Sequence, residues 1–164
     1  MQAAGIHKAA FPDTSNAMSL MAAFLGNWTV ERHIHDQGGK RLGRFEGIVQ
    51  FSRAGEHVCY AEEGLMQYGG QAQFKASRVY QWRFPGGARI EVKFADGRDF
   101  HSIDFVRGSV SASHFCAPDK YDVTYDFGNW PEWSTEWHVE GPRKAYRMMS
   151  IFRRAAPDCA PPHL

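Results

Sequence analysis

The run Phe74-Lys75-Ala76-Ser77-Arg78-Val79-Tyr80-Gln81-Trp82-Arg83-Phe84 reads with a period of two. A strand sends alternate side chains to opposite faces, so Phe74, Ala76, Arg78, Tyr80, Trp82 and Phe84 share one side. That side is aromatic, yet it carries a guanidinium and a phenol. The run stops at Pro85-Gly86-Gly87, which is turn chemistry.

The pattern repeats outward in both directions. Strands are expected near 28–36, 44–51, 57–67, 73–84, 88–94, 99–105, 108–116, 120–127, 132–140 and 144–153. Turn residues separate them, among them Gln37-Gly38-Gly39, Gly69-Gly70, Ala95-Asp96-Gly97 and Gly141-Pro142. In the first run Trp28, Val30, Arg32 and Ile34 fall on one face, with Thr29, Glu31, His33 and His35 facing water. Tyr121, Val123, Tyr125 and Phe127 share a face, as do Trp133, Thr135, Trp137 and Val139. Short strands joined by tight turns predict an all-β fold. The expected form is a closed antiparallel up-and-down β-barrel of 8–10 strands, since closure removes the sheet's edges. Before the first strand, Thr14, Ser15 or Asn16 caps a short N-terminal helix ending at Gly26. Its apolar side, Leu20, Met21, Phe24 and Leu25, suits a lid on one barrel end. Residues 14–154 form one domain between a flexible tail, 1–13, and a Pro-rich one, 155–164.

Bulk properties agree. The 164 residues are 43% hydrophobic, 23% charged and 14% aromatic, with a formal charge of +1. Aromatics favour pleated sheets over helical bundles. The near-neutral balance argues against nucleic acid or a membrane as partner. Three cysteines (Cys59, Cys116 and Cys159) without a CxxC pair are expected as buried free thiols in the cytoplasm. The segment from Ala17 to Leu25 is too short for a membrane span and lacks the flanks of a signal peptide.

Gly26-Asn27-Trp28, after a helix and opening the first strand, resembles the Gly-x-Trp signature of lipocalins and the wider calycin group. The resemblance implies that Trp28 closes the barrel bottom and that Arg153 or Arg154 packs across it. The chain from about 24 to 154 is also similar to a family of single-domain lipocalin-like proteins, a domain of unknown function. The segments that carry this are Tyr80-Gln81-Trp82, Asp96-Gly97-Arg98-Asp99-Phe100-His101, His114-Phe115-Cys116, Asp119-Lys120-Tyr121 and Gly141-Pro142-Arg143-Lys144. That likeness implies the fold and supplies no reaction.

Polar residues on inward faces are the main chemical signal. Arg32, Arg78, Tyr80, Tyr121, Tyr125 and Tyr146, with Tyr60 and Glu62, are expected to point into one cavity. A buried guanidinium needs a partner. Either a ligand carboxylate or phosphate supplies it through a bidentate fork, or Glu62 does so permanently. His101 and His114 lie on consecutive strands and read as an acid–base pair or as hydrogen-bonded core histidines. Trp82 and Trp137 would line an apolar part.

Other chemistry fares less well. His33-Ile34-His35 places two imidazoles on the solvent side, without the supporting contacts a metal site needs, so no metal is expected. A haem ligand is not expected of His163 in the Pro-rich tail. No Gly-x-Ser-x-Gly, P-loop or Gly-x-Gly-x-x-Gly occurs, and Cys116 reads as a thiol rather than a nucleophile. Packing inside the fold is expected for Trp130, Trp133 and Trp137.

The expectation is a barrel that binds a small, partly apolar, anionic molecule without a cofactor. Its site is expected to comprise Arg32, Tyr60, Glu62, Arg78, Tyr80, Trp82, His101, His114, Tyr121, Tyr125, Trp137 and Tyr146. The alternative is a cofactor-independent lyase or decarboxylase using inward Tyr, Arg and Glu residues. Whether a reaction occurs, and whether the chain pairs as a homodimer, stays open.

Overall fold

A computed structural model describes residues 9–156. Most of the two expected tails, with Cys159 and His163, lies outside the described residues. The chain forms α1 (Ala17–Phe24) and then ten strands: β1 (Gly26–Asp36), β2 (Arg41–Ala54), β3 (His57–Tyr68), β4 (Phe74–Gly86), β5 (Arg89–Phe94), β6 (Asp99–Asp104), β7 (Ser109–Cys116), β8 (Asp119–Asp126), β9 (Trp133–Glu140) and β10 (Ala145–Arg154). Each expected strand is present. β2 is longer than its alternation suggested, because it keeps pairing with β3 from Gly43↔Tyr68 to Ala54↔His57.

The strands lie in the order β6-β5-β4-β3-β2-β1-β10-β9-β8-β7. All neighbours in that order are antiparallel, and β1 pairs with β10 from Trp28↔Arg154 to Asp36↔Tyr146. β6 and β7 touch each other, but among the described residues no ladder joins them. The sheet is therefore a nearly closed up-and-down barrel with one seam.

Helix α1 plugs one end. Asn16 Oδ1 accepts from Met18 N at 2.9 Å and Ser19 N at 3.4 Å, which caps the helix. Leu20 and Phe24 are fully buried. The Phe24 ring lies 5.2–6.4 Å from those of Trp28, Trp82, Trp130 and Trp133, so strands from both halves meet at this side chain. Trp28 Nε1 donates to Phe24 O at 2.8 Å. Arg154 takes the position across Trp28, with Cζ 4.1 Å from the ring centroid and Nη1 donating to Leu25 O at 2.7 Å. Arg153 instead pairs with Glu132 at 2.7 Å. Phe11 rests on Phe105 at 4.8 Å, below the plug.

Two expectations need correction. Phe74 has the inward parity but is 44% exposed, because the β3–β4 hairpin runs past its neighbour: β4 pairs with β5 only from Tyr80 onward. Cys116 is exposed rather than buried, since it ends β7 at the open rim, while Cys59 is half-buried.

A glycine pair shapes the wall. Gly47 and Gly64 face each other on β2 and β3. A Cβ at Gly64 would lie 2.2 Å from Glu46 O and 2.7 Å from Phe45 Cζ; one at Gly47 would meet Glu63 O at 2.2 Å. The Phe45 ring thus occupies the space their missing side chains leave. Gly64→Ala is expected to cost about 1–3 kcal/mol through backbone displacement. Gly70→Ala, with nothing near its added methyl, should stay within about 0.5 kcal/mol. Urea midpoints of the two variants check this, and equal midpoints would refute it.

Candidate functional site

Above the aromatic plug, the inward faces turn polar. Arg32 on β1 stacks over Phe45, with Cζ 5.1 Å from the ring centroid. From there it reaches Glu62 on β3 in a two-pronged ion pair, Nη1–Oε1 2.7 Å and Nη2–Oε2 2.8 Å. Arg32 Nε donates to Ser150 Oγ on β10 at 2.8 Å. Tyr60 donates its hydroxyl to Glu62 Oε2 at 2.5 Å. Arg78, opposite Glu62 on β4, brings Nε to 3.4 Å from Oε1. Phe45 holds Arg32 in place, so the glycine pair that makes room for Phe45 also positions this cluster.

Protonation follows from these contacts. Burial pushes the Glu62 carboxyl up, but the hydrogen bonds and charge of Arg32, then Arg78 and Tyr60, outweigh it and hold Glu62 below the usual carboxylate range. Burial and the Glu62 charge raise the Tyr60 phenol far above its ordinary value, so it stays a donor. The cluster is two guanidinium cations on one carboxylate. Arg78 carries the surplus: its side chain is 35% exposed, and its outer nitrogens have no hydrogen-bond acceptor among the described residues.

A cavity of about 40 Å³ lies beside the cluster. Of the expected site residues, it brings together Arg32, Tyr60, Arg78, Tyr80, Trp82, His101, Tyr125 and Trp137. Glu62 lies behind the arginines. His114, Tyr121 and Tyr146 are inward but stand nearer the mouth, outside the lining: Tyr121 accepts from Lys144 Nζ at 3.1 Å, and Tyr146 borders a separate rim groove with Asp36 and Arg147. Val92, Phe100, Trp133, Thr135 and Phe152 complete the wall. Trp133 and Thr135 share the Trp137 face and were open to the same reasoning. Phe100 was not: the register shifts from Val92↔His101 to Lys93↔Asp99, so Phe100 is an extra residue that lets two consecutive side chains face inward.

On β6, His101 is a half-buried titratable group of the same cavity wall. Its Nε2 is 2.9 Å from Tyr125 OH, and Nδ1 has no partner among the described residues. Burial, then the nearby His114, lowers it to about 3, so the ring is neutral at ordinary pH. Of the two readings open for His101, an acid–base partner of His114 or a hydrogen-bonded histidine of the interior, its geometry is that of the second. Trp82 Nε1 and Trp133 Nε1, on the same wall, are also buried donors without acceptors among the described residues. On the outer face, His33 engages Glu31 at 3.0 Å and Arg41 at 2.9 Å, which uses both ring nitrogens. Among the described residues, no group of three or more His, Cys, Asp and Glu could hold a metal ion. No helix there is long and apolar enough to cross a membrane.

A family profile matches residues 24–154, the barrel with the end of its plug helix. The chain belongs to DUF6314, a family of unknown function. Among curated proteins, none matches it. Two solved structures share the family member's architecture. The S-type phycobiliprotein lyase CPES from Guillardia theta superposes with a TM-score of 0.62 at 9% identity, covering 86% of this chain and 93% of that one. Rv2717c from M. tuberculosis gives 0.52 at 10% identity, covering 85% and 98%. At such identities the likeness concerns the fold alone.

The His101 environment sets a pH dependence. Between pH 6.5 and about 3 the unfolded chain binds a proton that the folded ring refuses, so stability falls with falling pH. The slope from this group reaches at most about 1.4 kcal/mol per pH unit. Glu62 adds to the loss below its ordinary 4.5, because its folded value is lower still. His101→Gln should flatten the decline between about pH 6 and about pH 5, measured by urea unfolding against the unaltered protein. An unchanged slope would show that His101 is not the source.

Proposed function

We propose that this protein binds a small, partly aromatic monoanion in the barrel interior, with the acid group on Arg78. The observation that carries this reading is the charge surplus. Arg32 and Glu62 satisfy each other, whereas Arg78 leaves its outer nitrogens free beside a wall of Tyr80, Trp82 and Trp137. A guanidinium cannot shed its proton, so an anion is the natural complement. The orphan donors Trp82 Nε1 and Trp133 Nε1 favour a ligand that also offers acceptor atoms. A barrel architecture shared with a phycobiliprotein lyase agrees with an interior that handles a small molecule.

The lyase alternative has less support within the chain. Glu62 is fixed as an acceptor by three neighbours, and the Tyr60 proton is committed to it. Neither is poised to give or take a proton at neutral pH.

Thermal shifts with a panel of aromatic carboxylates, each beside its neutral amide, test the proposal. At about a hundred times Kd, a carboxylate should add roughly 2.7 kcal/mol, or about 5–10 °C in Tm. The amide should add little, and Arg78→Gln should lose the carboxylate's effect while keeping the fold. Equal shifts from acids and amides, or shifts that survive Arg78→Gln, would overturn it.

A further inference from the structure

We infer that the β5–β6 hairpin is a flap that swings out at the mouth to admit ligand, hinged on the plug and on β4, and latched by the His101–Tyr125 hydrogen bond. The inference rests on the binding reading above, and its starting point is volume. A cavity of about 40 Å³ holds a water or two, whereas pockets for small ligands run to roughly 300–1,000 Å³. Some part of the wall has to move before an aromatic ring fits.

The ladders narrow the choice to the two sides of the seam, and β7, held along one edge by β8, supplies none of the residues that line the cavity. β1, β2, β3, β8, β9 and β10 are each hydrogen-bonded along both edges, so displacing any of them breaks a row of backbone bonds. The β5–β6 hairpin hangs by one edge. β5 pairs with β4 over Tyr80↔Phe94, Gln81↔Lys93, Trp82↔Val92 and Arg83↔Glu91, with Gly86↔Arg89 beyond a register shift. β6 offers β7 no ladder. The part of β4 from Phe74 to Val79 also extends past the hairpin unpaired, which leaves a notch at Arg78.

Side chains across the seam are graded from bottom to top. At the bottom the seam is welded. Phe105 is buried against Phe127 at 4.4 Å and Trp130 at 5.2 Å, and Ile90 and Ile103 are buried beside it. At the top the contacts are half-buried rings: His114 lies 5.6 Å from Phe94 and 5.1 Å from Phe100, and Phe100 lies 5.2 Å from Trp137. Between these levels, among the described residues, one side-chain hydrogen bond spans the seam, His101 Nε2 to Tyr125 OH. The hairpin supplies Val92, Phe100 and His101 to the cavity wall, so swinging its tip outward enlarges the space directly in front of Arg78. Opening breaks one hydrogen bond and a few ring contacts, a smaller loss than any laddered strand would suffer.

Two measurements test the flap. In hydrogen exchange without ligand, Tyr125→Phe removes the latch and keeps the ring. Amides in residues 89–104 should then exchange about five- to tenfold faster, with those of β2 and β3 unchanged. Phe100→Leu, which thins the top contacts, should act in the same direction. A uniform acceleration, or none, would overturn the flap. In stopped-flow fluorescence, 8-anilinonaphthalene-1-sulfonate, an aromatic monoanion, should associate severalfold faster with Tyr125→Phe. Faster exchange with an unchanged association rate would overturn the hairpin as the entry route. If the dye fails to bind in an Arg78-dependent way even to the unaltered protein, the binding reading falls while the exchange result still judges the flap.

Discussion

The ion pair between Arg32 and Glu62 ties β1 to β3 across β2, and much of the interior is arranged around its cost. Two charges have left water, a loss of several kcal/mol for each ion that Coulombic attraction recovers only with good geometry. Here both prongs are short, Ser150 takes a third guanidinium hydrogen, and Tyr60 covers a carboxylate oxygen. The contacts draw on β1, β3 and β10, with Phe45 of β2 beneath. Such a pair forms only when those strands are in register, because a slip of one residue sends every inward side chain to the opposite face. Gly47 and Gly64 belong to the same arrangement, since side chains there would displace Phe45 and with it the guanidinium.

That cluster also divides the barrel into two storeys. Below it, Phe24, Trp28, Phe51, Trp82, Phe127, Trp130 and Trp133 form an aromatic floor sealed by α1. Above it, Tyr80, Phe100, His114, Tyr121 and Tyr146 are only half-buried, and β4 runs on toward the rim without β5 beside it. The ionic layer lies between this packed floor and the half-buried upper wall, and Trp82 and Trp133 face the cavity from the floor. His101 stands on that boundary, half-buried and held neutral by the burial it has.

The period-two pattern made the strands, the faces and most of the cavity wall legible, because a sheet repeats one geometric rule for every residue. Arg32, Tyr60, Glu62 and Arg78 could be placed together from parity alone. What parity could not reveal was reach and depth. It could not tell that Arg32 crosses β2 to meet Glu62, which depends on side-chain length and on the glycine pair. Nor could it show that Tyr121 and Tyr146 stand too high to line the cavity, or that Phe74 projects beyond the rim. Phe100 was hidden for a different reason, since an inserted residue breaks the alternation locally. The seam between β6 and β7 was likewise invisible, because nothing in either strand's composition differs from the laddered ones.

Arg78 is the residue for which structure alone gives an incomplete account. Glu62 is already satisfied by Arg32 and Tyr60, and a single guanidinium would neutralise it. A second one at 3.4 Å adds attraction to the carboxylate but also repulsion toward Arg32. A barrel selected only for stability gains little from that arrangement, since replacing buried charges by apolar groups is often neutral or stabilising. Placed at the notch in the wall, half in water, the extra charge is inexpensive to keep and available for exchange. On the proposed reading, an incoming carboxylate takes the outer nitrogens of Arg78 and leaves the bonds that hold Arg32 in place. Glu62 then has the role of aiming Arg78, while the register of the barrel is maintained by the pair beneath.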